Sequence, residues 1–160
     1  MKLRPTEESD LELVMTWIRN EEECRLWSGP GVRFPYTLAT LKEDIRYDSR
    51  NTFSLLDNDG YACGLGQILE KSSNKIHLAR ILIAPAERGK GYGRILCSLL
   101  IEKALEIYGK RSFSLNVYEF NTPAVKTYQR LGFKQSVPPP GSLKLENCMY
   151  MVLSCDDIKI

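Results

Sequence analysis

The stretch IHLARILIAPAERGKGYG, residues 76–93, decides how this sequence folds. Its first nine residues, 76–84, are the most strand-like in the chain, and Pro85 stops them because proline cannot donate to a strand ladder. The next six, Arg88-Gly-Lys-Gly-Tyr-Gly93, form a glycine-rich turn. That turn opens a long helix with Ile95, Leu96, Leu99, Leu100 and Ala104 on one side, closed by Gly109 just past its end.

Glycines at 89, 91 and 93 let the backbone take positive φ and approach a ligand closely. A helix start presents unpaired N–H groups and the positive end of the macrodipole, and Arg88, Lys90 and Arg94 add charge there. The segment therefore suits a phosphate, and it equally suits a bare strand-to-helix connection. It is not a Walker A loop, because Lys90 is followed by Gly91 rather than Ser or Thr. It is not the dinucleotide pattern either, since its last two glycines are only two apart.

Working upstream, residues 52–56 and 61–69 read as strands joined through Asp57-Asn58-Asp59-Gly60, a hairpin signal. A polar turn at residues 71–74 leads into the strand at 76–84, so three consecutive strands form an antiparallel meander. Before them lies a short strand at residues 2–5. A helix follows with Leu11, Val14, Met15 and Ile18 on one face, capped at Ser9 or Asp10. Gly29-Pro30-Gly31 breaks the chain, and a second helix begins near Thr37 or Thr40 with Leu41 and Ile45 inward.

Downstream, residues 112–117 form a strand. Asn121-Thr122-Pro123 then caps a helix carrying Ala124, Tyr128 and Leu131 and ending at Gly132. Strands near 133–137 and 147–154 flank the loop Pro138-Pro139-Pro140-Gly141. A strand–helix–strand crossover beside antiparallel hairpins gives an α/β chain, a mixed sheet covered by helices in three layers.

Composition bounds the function. The 160 residues suit one domain spanning 1–160. A formal charge of +2 gives no global pull toward nucleic acid or membrane, and neither is expected as a partner. Five cysteines without a C-x-x-C pair, and a single histidine, argue against a metal site. With no signal-like apolar region at the start and no apolar run near 18 residues, the expected location is cytoplasmic.

Here the chain resembles the GCN5-related N-acetyltransferase (GNAT) family. Arg88, Gly91 and Gly93 match its acetyl-CoA motif. Asn121, Ala124, Tyr128 and Gly132-Phe133, within NTPAVKTYQRLGF at 121–133, match its second hallmark segment at the usual spacing. The core of the likeness covers residues 53–133. Trp17 and Pro35-x-Thr37 are similar to the branch containing the ribosomal-protein N-terminal acetylating enzymes.

The resemblance implies a mostly antiparallel sheet of six to seven strands with about four helices. It implies an enzyme that transfers acetyl from acetyl-CoA, as co-substrate, to a primary amine of a small molecule or a peptide N-terminus by direct attack on the thioester. Amides of Arg88, Gly89, Lys90, Gly91, Tyr92, Gly93 and Arg94 would hold the pyrophosphate. Backbone groups of Ile81, Leu82 and Ile83 would pair with the pantetheine arm, and Asn121 would contact coenzyme A while also serving as a helix cap. Tyr128 would protonate the leaving thiolate, a modest contribution for a phenol of pKa near 10.

His77 stands where several members place a glutamate on the fourth strand. With an ordinary pKa near 6.5 and, by strand alternation, a face shared with Ala79, Ile81 and Ile83, it is a candidate base. Glu119 and ordered water are the other candidates, and a strand-end histidine bonded to a neighbour is the bland reading. The run Glu21-Glu22-Glu23 reads as a solvated helix end that could also attract a cation. Trp17 and Trp27 lie where relatives line the acceptor pocket, and either could equally be core. A non-catalytic acyl-CoA sensor is the alternative reading. Nucleic-acid binding through Arg88, Lys90, Arg94, Lys126 and Arg130 is the third. The oligomeric expectation is a monomer or homodimer.

Overall fold

The computed structural model describes residues 1–159. One seven-stranded sheet runs in the order β1-β2-β3-β4-β5-β7-β6. Its strands are β1 (Lys2–Pro5), β2 (Thr52–Leu56), β3 (Ala62–Ser72), β4 (Lys75–Ile83), β5 (Ser112–Tyr118), β6 (Lys134–Gln135) and β7 (Cys148–Leu153). The α-helices are α1 (Glu8–Trp17), α2 (Glu21–Ser28), α3 (Leu38–Asp44), α4 (Tyr92–Tyr108) and α5 (Thr122–Arg130), one more than expected. Every strand pair is antiparallel except β4–β5.

The additional helix is α2. Glu21, Glu22 and Glu23 are a helix end as expected, forming its first turn, and Asn20 caps it by accepting from the Glu23 N–H at 2.8 Å. Three carboxylates at a helix start complement the macrodipole, which is why so polar a segment folds as a helix. In α1 the cap is Glu7, not Ser9 or Asp10. Asp10 turns inward instead. It accepts from Arg4 at 2.6 and 3.0 Å, from Ser54 at 2.9 Å and from the Glu7 N–H at 2.9 Å. Thr37 caps α3, and Gly109, at φ +75°, closes α4.

Two apolar layers sandwich the sheet. On one face α4 and α5 bury Leu96, Leu100 and Tyr128 against Ile76, Leu78, Phe113 and Leu115. On the other, α1, α2 and α3 bury Leu11, Val14, Cys24 and Leu41 against Leu65 and Leu82. Each fully buried Leu or Phe is worth about 1.5–3 kcal/mol. Cys97 is fully buried in the first layer and its thiol is pushed up to about 12, so it acts as a small apolar side chain.

The decisive irregularity lies in β4. Gln67 pairs with Ala79 and Leu65 with Leu82, so Gly66 alone faces the two residues Arg80 and Ile81. This is a β-bulge, and Arg80 sits in it at φ +50°. The extra residue reverses the alternation. His77 and Ala79 share a face with Gln67 and Leu69, whereas Ile81 and Ile83 pack into the opposite, α4 side. The expectation that His77 shares a face with Ile81 and Ile83 is therefore corrected. Gly66 suits this position, because a Cβ on it would lie 2.6 Å from Leu100 Cδ1 of α4 and force that side chain to shift.

Candidate functional site

Strands β4 and β5 run together for only three residues, Lys75–His77 against Ser112–Ser114. Beyond His77, ahead of the bulge, they part, and β5 continues against β7 alone. The second half of β4 therefore has no strand on that edge, and its backbone groups border a cavity of about 1690 Å³. An extended ligand can pair with such an edge as an added strand does.

At the end of the gap, the turn enters α4. Gly89 and Gly91 both have φ +81°, and nothing lies within 4 Å of where a Cβ would stand on either. Gly91 is the N-cap of α4, so the free N–H groups of the first turn face outward from an open, glycine-lined concavity. Arg88 donates from Nε to the Ile83 carbonyl at 3.1 Å, holding the turn against the strand end. Arg88, Gly89, Gly91, Tyr92, Gly93 and Arg94 all line the cavity. Lys90 does not; its ammonium is 2.8 Å from Glu87, and the charge expected of it at the cradle is partnered.

Ile81, Leu82 and Ile83 border the cavity too, with the Leu82 side chain buried among α1–α3 residues. Asn121 occupies the N-cap position of α5 but makes no side-chain cap bond, so the capping role expected of it is not met. Its φ and ψ of −80° and 68° depart from the extended backbone usual at a capping residue, and the residue lines the cavity. Pro123 supplies the helix start instead, where its missing N–H costs nothing.

Tyr128 reaches the same cavity from α5. Its ring meets Phe133 edge-on at 6.0 Å and only 8% of the residue is exposed. Among the described residues its hydroxyl has no hydrogen-bond partner. Burial drives the phenol well above its ordinary pKa, with the Cys97 thiol adding to the effect, so it stays a neutral O–H donor.

His77 lies on the far wall, its Nδ1 2.9 Å from Ser114 Oγ. Burial, aided by the positive charges of Lys71 and Arg80, lowers it from 6.5 to about 4. The imidazole is thus neutral at pH 7 and much less basic than its sequence position suggests. Glu119 is exposed and does not line the cavity. Of the acidic run, Glu23 borders the cavity, and its carboxylate already accepts from Arg19 Nε and NH2 at 3.2 and 2.9 Å.

The site also contains groups that sequence reasoning passed over. Arg80, on the bulge, donates from NH1 to Gln67 Oε1 at 2.7 Å, and Trp27 Nε1 donates to the Arg80 carbonyl at 2.9 Å. Gln67 is fully buried, with its amide N–H groups bonded to the Ile45 carbonyl and Thr52 Oγ1. The available signal was an arginine set inside the apolar strand IHLARILIA.

A strand edge left open beside a glycine-lined helix start, with an unbonded tyrosine hydroxyl across the gap, fits coenzyme A. The chain matches the model of the Acetyltransferase (GNAT) family over residues 14–133. It belongs to that family. As a GNAT enzyme it is an N-acetyltransferase that uses acetyl-CoA to acetylate a primary amine.

The chain is similar to the spermidine N(1)-acetyltransferase of Escherichia coli (strain K12), 26% identical over 136 residues, or 83% of this chain and 72% of that one. It is similar to the streptothricin acetyltransferase of Streptomyces lavendulae, 31% identical over 114 residues, or 68% of this chain and 59% of that one. In fold it superposes on spermidine N-acetyltransferase from Vibrio cholerae in complex with CoA and spermine, with a TM-score of 0.76 and 22% identity. That match covers 98% of this chain and 96% of the other. The seven-stranded mixed sheet is thus the GNAT fold. Among the described residues, no three His, Cys, Asp or Glu side chains are grouped to hold a metal ion, and no helix is long and apolar enough to cross a membrane.

Proposed function

We propose that this GNAT enzyme acetylates a small primary amine that reaches the thioester largely deprotonated, with Tyr128 as the acid for the leaving thiolate. One observation carries the reading: a tyrosine packed into the cavity wall whose hydroxyl, among the described residues, has no protein partner. The hydroxyl itself is not enclosed: it opens to the cavity, where its O–H is free to donate to a ligand atom. Sulfur gains charge as the C–S bond breaks and is the natural acceptor of that proton.

The other roles follow from position. The N–H groups at Gly89–Gly93 receive the pyrophosphate, with Arg88 and Arg94 as cations beside it. The open edge at Ile81–Ile83 pairs with the pantetheine amides and directs a backbone N–H toward the thioester oxygen. Asn121, freed from capping, contacts coenzyme A. His77 Nε2 accepts a hydrogen bond from the attacking nitrogen. A group of pKa about 4 cannot strip a proton from an alkylammonium near 10.4, so His77 orients the amine rather than deprotonating it.

The relatives' names make spermidine and spermine natural first compounds to try. Two carboxylates line the cavity, Glu23 and Glu87, and each already pairs with a cation, Arg19 and Lys90. That favours an acceptor of low positive charge. Thiol release from acetyl-CoA across a panel of monoamines, polyamines and peptide α-amines tests the reading. Binding of acetyl-CoA without thiol release from any of them would turn it to the sensor alternative.

A further inference from the structure

Among the described residues, no carboxylate pairs with Arg80. Its single side-chain bond goes from NH1 to the neutral amide oxygen of Gln67, and its Nε is buried with no partner. Asp44, whose charge acts favourably on Arg80, gives both oxygens to Arg33 at 2.9–3.2 Å. The other charge acting on it, Arg46, has the same sign. Lys71 and Lys75 line the same cavity at the end of β4 opposite the glycine turn, where no phosphate of coenzyme A is expected.

The guanidinium is also held in place. Gln67 is oriented by its own bonds to Ile45 and Thr52, and Trp27 fixes the Arg80 backbone. Desolvating a cation without a counter-charge is costly, and a protein that positions one so firmly recovers the cost when an anion arrives. Burial depresses the Arg80 pKa, yet guanidinium remains protonated across the working pH range.

We infer that Arg80 is the recognition group for a carboxylate on the acceptor, so that the substrate class is an amino acid-like amine bearing both a nucleophilic nitrogen and an anionic end. The inference rests on the reading that this cavity is the acceptor site. It explains why Glu23 and Glu87 are already paired: a zwitterionic acceptor brings its own counter-charge. A guanidinium–carboxylate contact in a partly desolvated wall discriminates by about tenfold to a hundredfold against an uncharged isostere.

The test compares 3-aminopropanoate with 3-aminopropanamide, glycine with glycinamide, and both with 1,3-diaminopropane, using kcat/KM corrected for the free-amine fraction. The carboxylates should exceed their amides by at least about tenfold. That ratio should collapse toward one in Arg80→Gln and survive in part in Arg80→Lys, with acetyl-CoA affinity as the folding control. Tyr128→Phe should lower all acceptors equally and leave the ratio intact. Amides or the diamine used as well as the carboxylates would overturn the inference while leaving N-acetyl transfer standing. Should no acceptor release thiol, calorimetric titration of 3-aminopropanoate into the CoA-loaded protein decides the site alone. Binding that is lost in Arg80→Gln supports it; no binding, or unchanged binding in the variant, overturns it.

Discussion

The indole N–H of Trp27 donates to the carbonyl oxygen of Arg80 at 2.9 Å, joining α2 to the bulge of β4 across 53 residues of sequence. The bond does two things. It gives a partner to a carbonyl that the bulge removes from the strand ladder, and it fixes α2 as a wall of the cavity. Trp27→Phe keeps an aromatic ring against the core but removes the pyrrole part of the indole and with it the donor. Stability should fall by about 1 kcal/mol, a Tm decrease of about 2–4 °C. The acceptor KM should rise several-fold while acetyl-CoA affinity stays constant. Thermal unfolding and steady-state kinetics check both, and a rise confined to the acetyl-CoA KM would place Trp27 on the wrong side of the site.

His77 makes stability depend on pH. Folding lowers its pKa from 6.5 to about 4, so between those values the unfolded chain binds a proton that the native one does not. Stability from this group is complete above pH 6.5 and is lost as pH falls toward 4, by about 3 kcal/mol in all. Urea unfolding from pH 4.5 to 7.5 should show a steeper slope in the wild type than in His77→Gln.

The same shift sets the rate profile. The acidic limb of kcat/KM should move with the acceptor's own amine pKa and show no break near 6.5 in either protein. Acceptors of different amine pKa, compared across pH, would reveal an imidazole break if His77 were the base.

Tyr128→Phe removes only the hydroxyl, which is needed as sulfur acquires charge. The expected result is a fall of roughly ten- to a few hundred-fold in both kcat and kcat/KM, with acetyl-CoA affinity nearly unchanged. The Phe133 contact survives, so the melting temperature should hold. Unchanged kcat with chemistry rate-limiting would reduce Tyr128 to packing.

Gly91 combines positive φ with a position at the start of α4. Gly91→Glu introduces left-handed strain and a negative charge where phosphates sit. Acetyl-CoA affinity should drop at least about tenfold, and wild-type affinity should itself weaken with added salt. Isothermal titration at two ionic strengths measures both.

Local chemistry made much of this legible from sequence. The glycine turn, Gly109 closing α4, Thr37 opening α3 and the hairpin at Asp57–Gly60 are signals written within a few residues of the structure they dictate. Spacing placed Tyr128 on the packed face of its helix, and only the likeness of residues 121–133 to the family's second hallmark segment singled it out as an acid. The helix α2 was hidden because its charges look solvated, and only its cap and dipole identify it.

What tertiary structure alone decided concerns register and desolvation. The bulge that flips Ile81 and Ile83 away from His77 lies opposite Gly66, where any Cβ would crowd Leu100 of another layer. The weak basicity of His77 depends on burial beside Ser114, 37 residues away, and the unmet charge of Arg80 depends on Asp44 having been taken by Arg33. Periodicity encodes which way a side chain leaves its own backbone. Which groups from distant segments remove its water or its counter-charge is fixed only when the sheet and its two helical layers close around it.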